Sequence, residues 1–148
     1  MLGICYGHQL LAHALGGRVA PNPRGREIGS VEVETLPAAR EDPLLCGLPE
    51  RFIAQATHVE SVVELPVPAT LLARSRGDPH QAFRVGALAW GVQFHPEFDT
   101  DVIRGYLEAR REILRREGRD PEALLAEVRE SAGAGSLLRR FAALASLQ

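Results

Sequence analysis

The stretch Leu2-Gly3-Ile4-Cys5-Tyr6-Gly7-His8-Gln9-Leu10-Leu11 constrains this chain more than any other. A short apolar strand runs into a cysteine with glycines two residues before and two after it, and a helical pattern follows as far as Gly16-Gly17. That order is the grammar of a nucleophile elbow in which cysteine takes the place of serine. A strand that turns sharply into a helix strains the backbone at the turn. Side chains at the flanking positions would strike the neighbouring strand and helix, so glycine is expected there. Cys5 is thereby expected at the top of a sheet and at the start of a helix, where aligned peptide dipoles favour a negatively charged nucleophile. The same residues also fit a buried free cysteine in an ordinary strand-loop-helix turn. A base elsewhere in the chain decides between the two readings.

The candidate base lies in Ala89-Trp90-Gly91-Val92-Gln93-Phe94-His95-Pro96-Glu97-Phe98. A β-rich segment ends at His95, and Pro96 stops it from continuing as an inner strand and fixes the backbone just beyond. Glu97 is two residues past His95, so a bent backbone brings its carboxylate onto one ring nitrogen while the other faces outward. An acid in that position holds the imidazole in the useful tautomer and stabilises the imidazolium once it forms. On its own a His-x-Glu is a weak signal. Together with the elbow, Cys5, His95 and Glu97 supply the nucleophile, base and orienter of a thiol triad, in that chain order.

Gly3-Ile4-Cys5-Tyr6-Gly7-His8-Gln9, followed 90 positions after the cysteine by His95 within Gly91-Val92-Gln93-Phe94-His95-Pro96-Glu97, resembles the class I glutamine amidotransferases. The resemblance implies an α/β fold with a flavodoxin-like mixed sheet, and hydrolysis of the side-chain amide of glutamine through a Cys5 thioester with release of ammonia. It implies His95 and Glu97 as the catalytic partners, the Tyr6 backbone N–H as an oxyanion donor, and Gln9 on the first helical turn as a substrate contact. Thr57-His58-Val59-Glu60-Ser61-Val62 resembles the family's loop in which a histidine and, two residues later, usually an aspartate help to hold the substrate. Here His58 is the matching residue and Glu60 replaces the aspartate. The chain is most similar to stand-alone, GMP synthase-like members, which implies a separate ammonia-accepting synthetase as partner and no cofactor. Two other functions remain open at this stage: a γ-glutamyl peptide hydrolase, and an inactive truncated remnant. Members of the family begin with βα units before the elbow, and the chain is expected to be a single domain, residues 1–148, with those N-terminal units missing.

The rest of the chain fits one globular domain, for which 148 residues and 45% hydrophobic content are enough to bury a core. All 17 basic residues are arginine, but Arg110-Arg111-Glu112 and Arg115-Arg116-Glu117 interleave them with acids, which argues against nucleic acid as a partner. No apolar run approaches the ~20 residues needed to span a bilayer, so no membrane role is expected. Cys5 and Cys46 make neither a disulfide framework nor a metal cluster, and a cytoplasmic location is the expectation. The first helix, Gly7 to Leu15, places Leu10, Leu11, Ala14 and Leu15 on one buried face. Strands are expected at Glu27 to Leu36, with Glu32 and Glu34 on a wet face, at Arg51 to Thr57, at Ala69 to Ser75 and at Gln81 to Val85. Asp42-Pro43 opens a single helical turn in which Cys46 packs. His8 and His13 read as structural and His80 as exposed. The C-terminal third reads as three helices. The first carries Val102, Ile103, Tyr106, Leu107 and Ile113, the second starts at Asp120-Pro121, and the third follows Gly133-Ala134-Gly135.

Overall fold

The computed structural model describes residues 1–146. A mixed six-stranded sheet has the order β1-β8-β7-β6-β3-β4, and a separate two-stranded sheet pairs β2 with β5. The strands are β1 Leu2–Ile4, β2 Arg18–Pro21, β3 Glu27–Thr35, β4 Arg51–His58, β5 Glu60–Glu64, β6 Ala69–Ser75, β7 Ala82–Val85 and β8 Ala89–Val92. The helices are α1 Tyr6–Ala14, α2 Thr100–Ala109, α3 Arg111–Arg116, α4 Pro121–Ala126 and α5 Ala132–Ala145. β1 runs parallel to β8 and the other ladders of the large sheet are antiparallel. Among the described residues no helix is long and apolar enough to cross a membrane.

Helices cover both faces of the sheet because successive strand residues point to opposite sides. On β8, Trp90 and Val92 join Phe52, Leu72, Phe94 and Leu137 in the core beneath α5. Gly91, between them, faces α1, where an added Cβ would lie 2.7 Å from His8 Nδ1 and 2.8 Å from the Phe83 ring. Phe83 itself packs with Leu11, Ala12 and Val62 under α1. A third cluster, Ile28, Ile103, Leu107, Leu114 and Val128, seats α2 and its neighbours against the start of β3. Glu32 is exposed and pairs across the strands with Arg51 at 3.3 Å, and Glu34 pairs with Arg74 at 2.9 Å, as the wet face requires. Such exposed pairs set register more than they add stability.

Several local expectations are corrected. The buried residues of α1 are His8, Gln9, Leu11 and Ala12, while Leu10 and Leu15 are exposed and Ala14 with them. The helix is rotated so that its small Ala12 and the flat ring of His8 meet the sheet where Gly91 leaves room. Strand β2 follows Gly16-Gly17 where no strand was expected, and β5 begins within the Thr57–Val62 stretch that was expected to be a loop. The single helix expected to carry Val102 through Ile113 breaks at Arg110, and the change of direction buries Leu114 instead of Ile113. Gly133 and Gly135 lie inside α5. A Cβ at Gly133 would come within 3.3 Å of Phe52 Cβ, so close helix-on-strand packing accounts for that glycine. Cys46 is exposed, and Arg140 Nη2 donates to its sulfur at 2.9 Å. His80 is half-buried, with Nδ1 2.5 Å from the Val62 carbonyl.

Two turn readings hold. Asp42 accepts from the backbone N–H groups of Leu44 and Leu45 at 2.9 and 3.1 Å, and also takes the Trp90 indole N–H and an ion pair from Arg84. Asp120 caps α4, with Pro121 at its first position.

Candidate active site

Cys5 stands between β1 and α1 with φ 48° and ψ −101°, and among the described residues it is the one non-glycine residue with positive φ. An L-residue adopts that backbone at a cost, so the surrounding structure must hold it there. β1 does this from one side: its parallel register to β8 ends with Ile4 opposite Val92, and Cys5 N–H donates to the Val92 carbonyl at 2.8 Å. Gly3 does it from the other. A Cβ there would lie 2.4 Å from the Gly7 carbonyl oxygen and 2.6 Å from its carbon, so only glycine lets the first turn of α1 fold back over the strand. Gly7 has no such neighbour within 4 Å, and the steric expectation holds for one flanking glycine of the two. The Cys5 side chain is half-buried at the helix start. Tyr6 begins α1, where a backbone N–H has no intrahelical acceptor.

After Val92 the chain leaves the β8 ladder and crosses toward the far edge of the curled sheet. Gln93 N–H donates to the Gln81 carbonyl, and His95 N–H to the carbonyl of Gln55 on β4, each at 2.8 Å. This crossing brings His95 back to Cys5, although their parent strands, β8 and β1, end before either residue. His95 Nδ1 is 2.7 Å from Glu97 Oε1. Its Nε2 is buried without a well-aligned hydrogen-bond partner, and Cys5 is the thiol that acts on it.

Burial disfavours the imidazolium, but hydrogen bonds and charge from Cys5 and Glu97 outweigh it and raise His95 to about 9. Burial also pushes Glu97 up, and the hydrogen bond from His95 overcomes that and holds the carboxylate below its usual range. The Phe98 ring stacks on the imidazole, centroids 4.0 Å apart and planes 12° apart, and Tyr106 backs Phe98 at 5.2 Å. These aromatic contacts fix the plane in which His95 works.

Gln9 is 8% exposed, and its Nε2 lies 2.8 Å from the Glu60 carbonyl and 3.1 Å from Gln93 Oε1. His58 is buried with both ring nitrogens engaged, Nδ1 at 2.9 Å from the same Glu60 carbonyl and Nε2 at 2.9 Å from Glu27 Oε2. It reaches the site through the backbone of Glu60, whose own side chain is exposed. Glu27 also accepts from Ser75 Oγ and Gln81 Nε2. His8 is wholly buried, and burial lowers it to about 3, which keeps it a neutral packing group beneath α1. Among the described residues no three His, Cys, Asp or Glu side chains gather as a metal site.

Sequence reasoning passed over Phe98, Gln93 and Glu27. The first two stand inside the motif around His95, but their contacts depend on how the crossing segment bends. Glu27 reads only as the first residue of a strand, and the close approach of Gly77 to its carboxylate, together with Ser75, Gln81 and His58, shows that it is enclosed. A groove of about 1470 Å³ bordered by Arg24, Glu32, Arg51 and Arg74 lies over β3 and includes none of Cys5, His95 or Glu97.

Comparison with known proteins identifies relatives of the chain. The family model for glutamine amidotransferase class-I matches residues 1–109. The glutamine-hydrolyzing GMP synthase of Aeropyrum pernix is 46% identical over 97 residues, which are 66% of this chain and 18% of that protein. A glutamine-hydrolyzing GMP synthase subunit of Thermococcus kodakarensis is 39% identical over 114 residues, 73% of this chain and 58% of the relative. A solved glutamine amidotransferase from Thermotoga maritima superposes with a TM-score of 0.74 at 34% identity, over 95% of this chain and 59% of the other. The chain thus spans from under a fifth to somewhat over half of the length of these relatives.

Proposed function

The chain belongs to the class I glutamine amidotransferase family, and we propose that it hydrolyses the γ-amide of glutamine through a thioester on Cys5 and releases ammonia. One observation carries this reading: a cysteine held at a strained elbow faces a histidine whose opposite nitrogen is bonded to Glu97. The Cys5 sulfur attacks the γ-carbonyl carbon, and the carbonyl oxygen becomes an oxyanion that the Tyr6 backbone N–H stabilises. The imidazolium of His95 gives its proton to the leaving nitrogen, which departs as ammonia. Neutral His95 then takes a proton from water, whose oxygen attacks the thioester to yield glutamate and free Cys5. Glu97 keeps Nδ1 protonated and Nε2 aimed at the sulfur throughout. Gln9 and the Glu60 backbone held by His58 form one wall beside Cys5 against which the glutamine chain lies. The Thermococcus kodakarensis relative is named as one subunit of its synthase, which supports a separate synthetase as the recipient of ammonia.

Steady-state release of ammonia and glutamate from glutamine by the wild-type chain and by Cys5→Ala tests the proposal. Turnover that disappears in the variant supports it, and equal rates in the two proteins reject it.

The pH profile carries a further expectation. Because the folded pKa of His95 lies above its ordinary value, the stabilisation from its protonated form is complete below pH ~6.5 and is lost as pH rises toward about 9. The proton donor for the departing amine is lost over the same range. Activity is therefore expected to fall on an alkaline limb centred near 9, and Glu97→Gln moves that limb to lower pH by removing one of the groups that raise His95. An alkaline limb that stays in place in Glu97→Gln contradicts the orienting role.

A further inference from the structure

We propose that Gln93 is a catalytic residue of this site, donating its side-chain N–H to the Cys5 sulfur, and that Gln9 is the positioning residue that fixes the direction of that amide. The inference rests on Cys5 being the nucleophile and goes beyond the triad to a further group that touches the sulfur.

The contact is direct: Gln93 Nε2 lies 3.5 Å from Cys5 Sγ. Its polarity follows from a chain of neighbours. The Glu60 carbonyl is only an acceptor, so the Gln9 atom 2.8 Å from it must be the amide nitrogen. The same nitrogen lies 3.1 Å from Gln93, which must therefore present its oxygen on that side. One position remains for the Gln93 nitrogen, and it faces the sulfur. Reversing either amide would set oxygen against oxygen or nitrogen against nitrogen inside the protein, where an unmet polar group is costly.

The chain has a fixed anchor at its far end. The Glu60 carbonyl also accepts from His58 Nδ1, and His58 Nε2 meets Glu27, which Ser75 and Gln81 hold in turn. Gln81 supplies the carbonyl that ties down the Gln93 backbone, so both ends of Gln93 refer to the same buried cluster. Gln93 is fully buried and has no solvent to turn toward.

A donor held on a sulfur favours its charged form, because hydrogen bonding to the anion stabilises it relative to the thiol. The titratable groups that bear on the sulfur are His95 and, through it, Glu97. Gln93 acts from a different direction and carries no charge. Removing it weakens the thiolate while leaving the His95–Glu97 pair in place.

The experiment reads the sulfur and not turnover. In a Cys46→Ser background, which leaves Cys5 as the single cysteine, the rate of alkylation by iodoacetamide is followed against pH. In Gln93→Leu the midpoint is expected to rise by about one unit. In Gln93→Glu, which still accepts from Gln9 but puts a carboxylate oxygen against the sulfur, it rises further. Gln9→Met leaves Gln93 present but free to turn, and produces a smaller rise in the same direction. Circular dichroism identifies which variants are folded. A second arm needs no substitution at Gln93: in the ¹⁵N-labelled single-cysteine protein, one glutamine side-chain amide is expected to shift when Cys5 is alkylated. An unchanged midpoint in folded Gln93→Leu or Gln93→Glu overturns the proposal, as does a side-chain amide spectrum that alkylation leaves unmoved. Absence of glutaminase activity in the wild-type chain would reject the proposed function, while the alkylation comparison still decides the role of Gln93.

Discussion

Replacing Gly3 with alanine is expected to slow glutamine hydrolysis on the order of a hundredfold and to lower stability by about 3 kcal/mol. The new Cβ would sit 2.4 Å from the Gly7 carbonyl oxygen, 2.6 Å from its carbon and 2.9 Å from the His8 nitrogen. All three are backbone atoms of the first turn of α1, so no side-chain rotation relieves the overlap. Either α1 lifts away from β1 or β1 shifts along β8, and both movements carry Cys5 off the line to His95. A displacement of about 1 Å at such a site costs on the order of a hundredfold in rate. Activity should therefore fall by much more than the loss of folded protein accounts for. Thermal melts and glutamine turnover measured on the same preparation separate the two effects. The matched control is Gly7→Ala, where no atom lies within 4 Å of the added carbon, and it should retain most of the activity. Equal losses from the two alanines would mean that the elbow is not shaped by the close approach at Gly3.

The second large effect is expected at His95. Replacing it with asparagine removes the proton donor for ammonia and the base for water, and general acid–base catalysis of this kind is worth roughly 10²–10⁴-fold. The fold should survive, because the backbone N–H of residue 95 still donates to the Gln55 carbonyl and Pro96 still ends the segment. The lost ring leaves Phe98 without its stacking partner, at a cost of roughly 0.5–1.5 kcal/mol. The two steps respond differently: with no base, breakdown of the thioester slows along with its formation. Single-turnover and steady-state rates measured together should both fall. A variant with wild-type turnover would remove His95 from the chemistry.

The contrast between Gly3 and Gly7 also shows which parts of the site can be read in a sequence. The elbow was legible because its constraint is local: strand, turn and helix occupy ten consecutive residues, and the strained backbone at Cys5 is a property of that turn. His95 and Glu97 were legible for the same reason, since two residues and an intervening proline decide their contact. The segment that carries His95 to Cys5 was not. It depends on a sheet that curls until the segment after β8 meets β4, His95 opposite Gln55, and no spacing within the segment records that closure. Gln93 shows the limit well. It was visible as part of the motif, but the direction of its amide is set by a carbonyl at Glu60 and a carboxylate at Glu27, tens of residues away in the chain.

Periodicity erred where packing partners differ in size. The stripe on α1 fell on His8, Leu11 and Ala12 because Gly91 and Phe83 together make a surface that admits a small residue and a flat ring. Leucines at positions 10 and 15 gave no hint of that. Gly133 and Gly135 read as a helix boundary from composition alone, yet the helix continues through them, and at Gly133 the missing side chain leaves room for Phe52. In both cases the deciding information belongs to the opposite surface.

The most direct test of the central claim is intact-mass measurement of the protein, acid-quenched while it turns over glutamine. A covalent adduct equal to glutamine less ammonia is expected, located by peptide mapping to the segment containing Cys5 and absent from Cys5→Ala. An adduct that maps to Cys46, or ammonia release by Cys5→Ala at the wild-type rate, would contradict it.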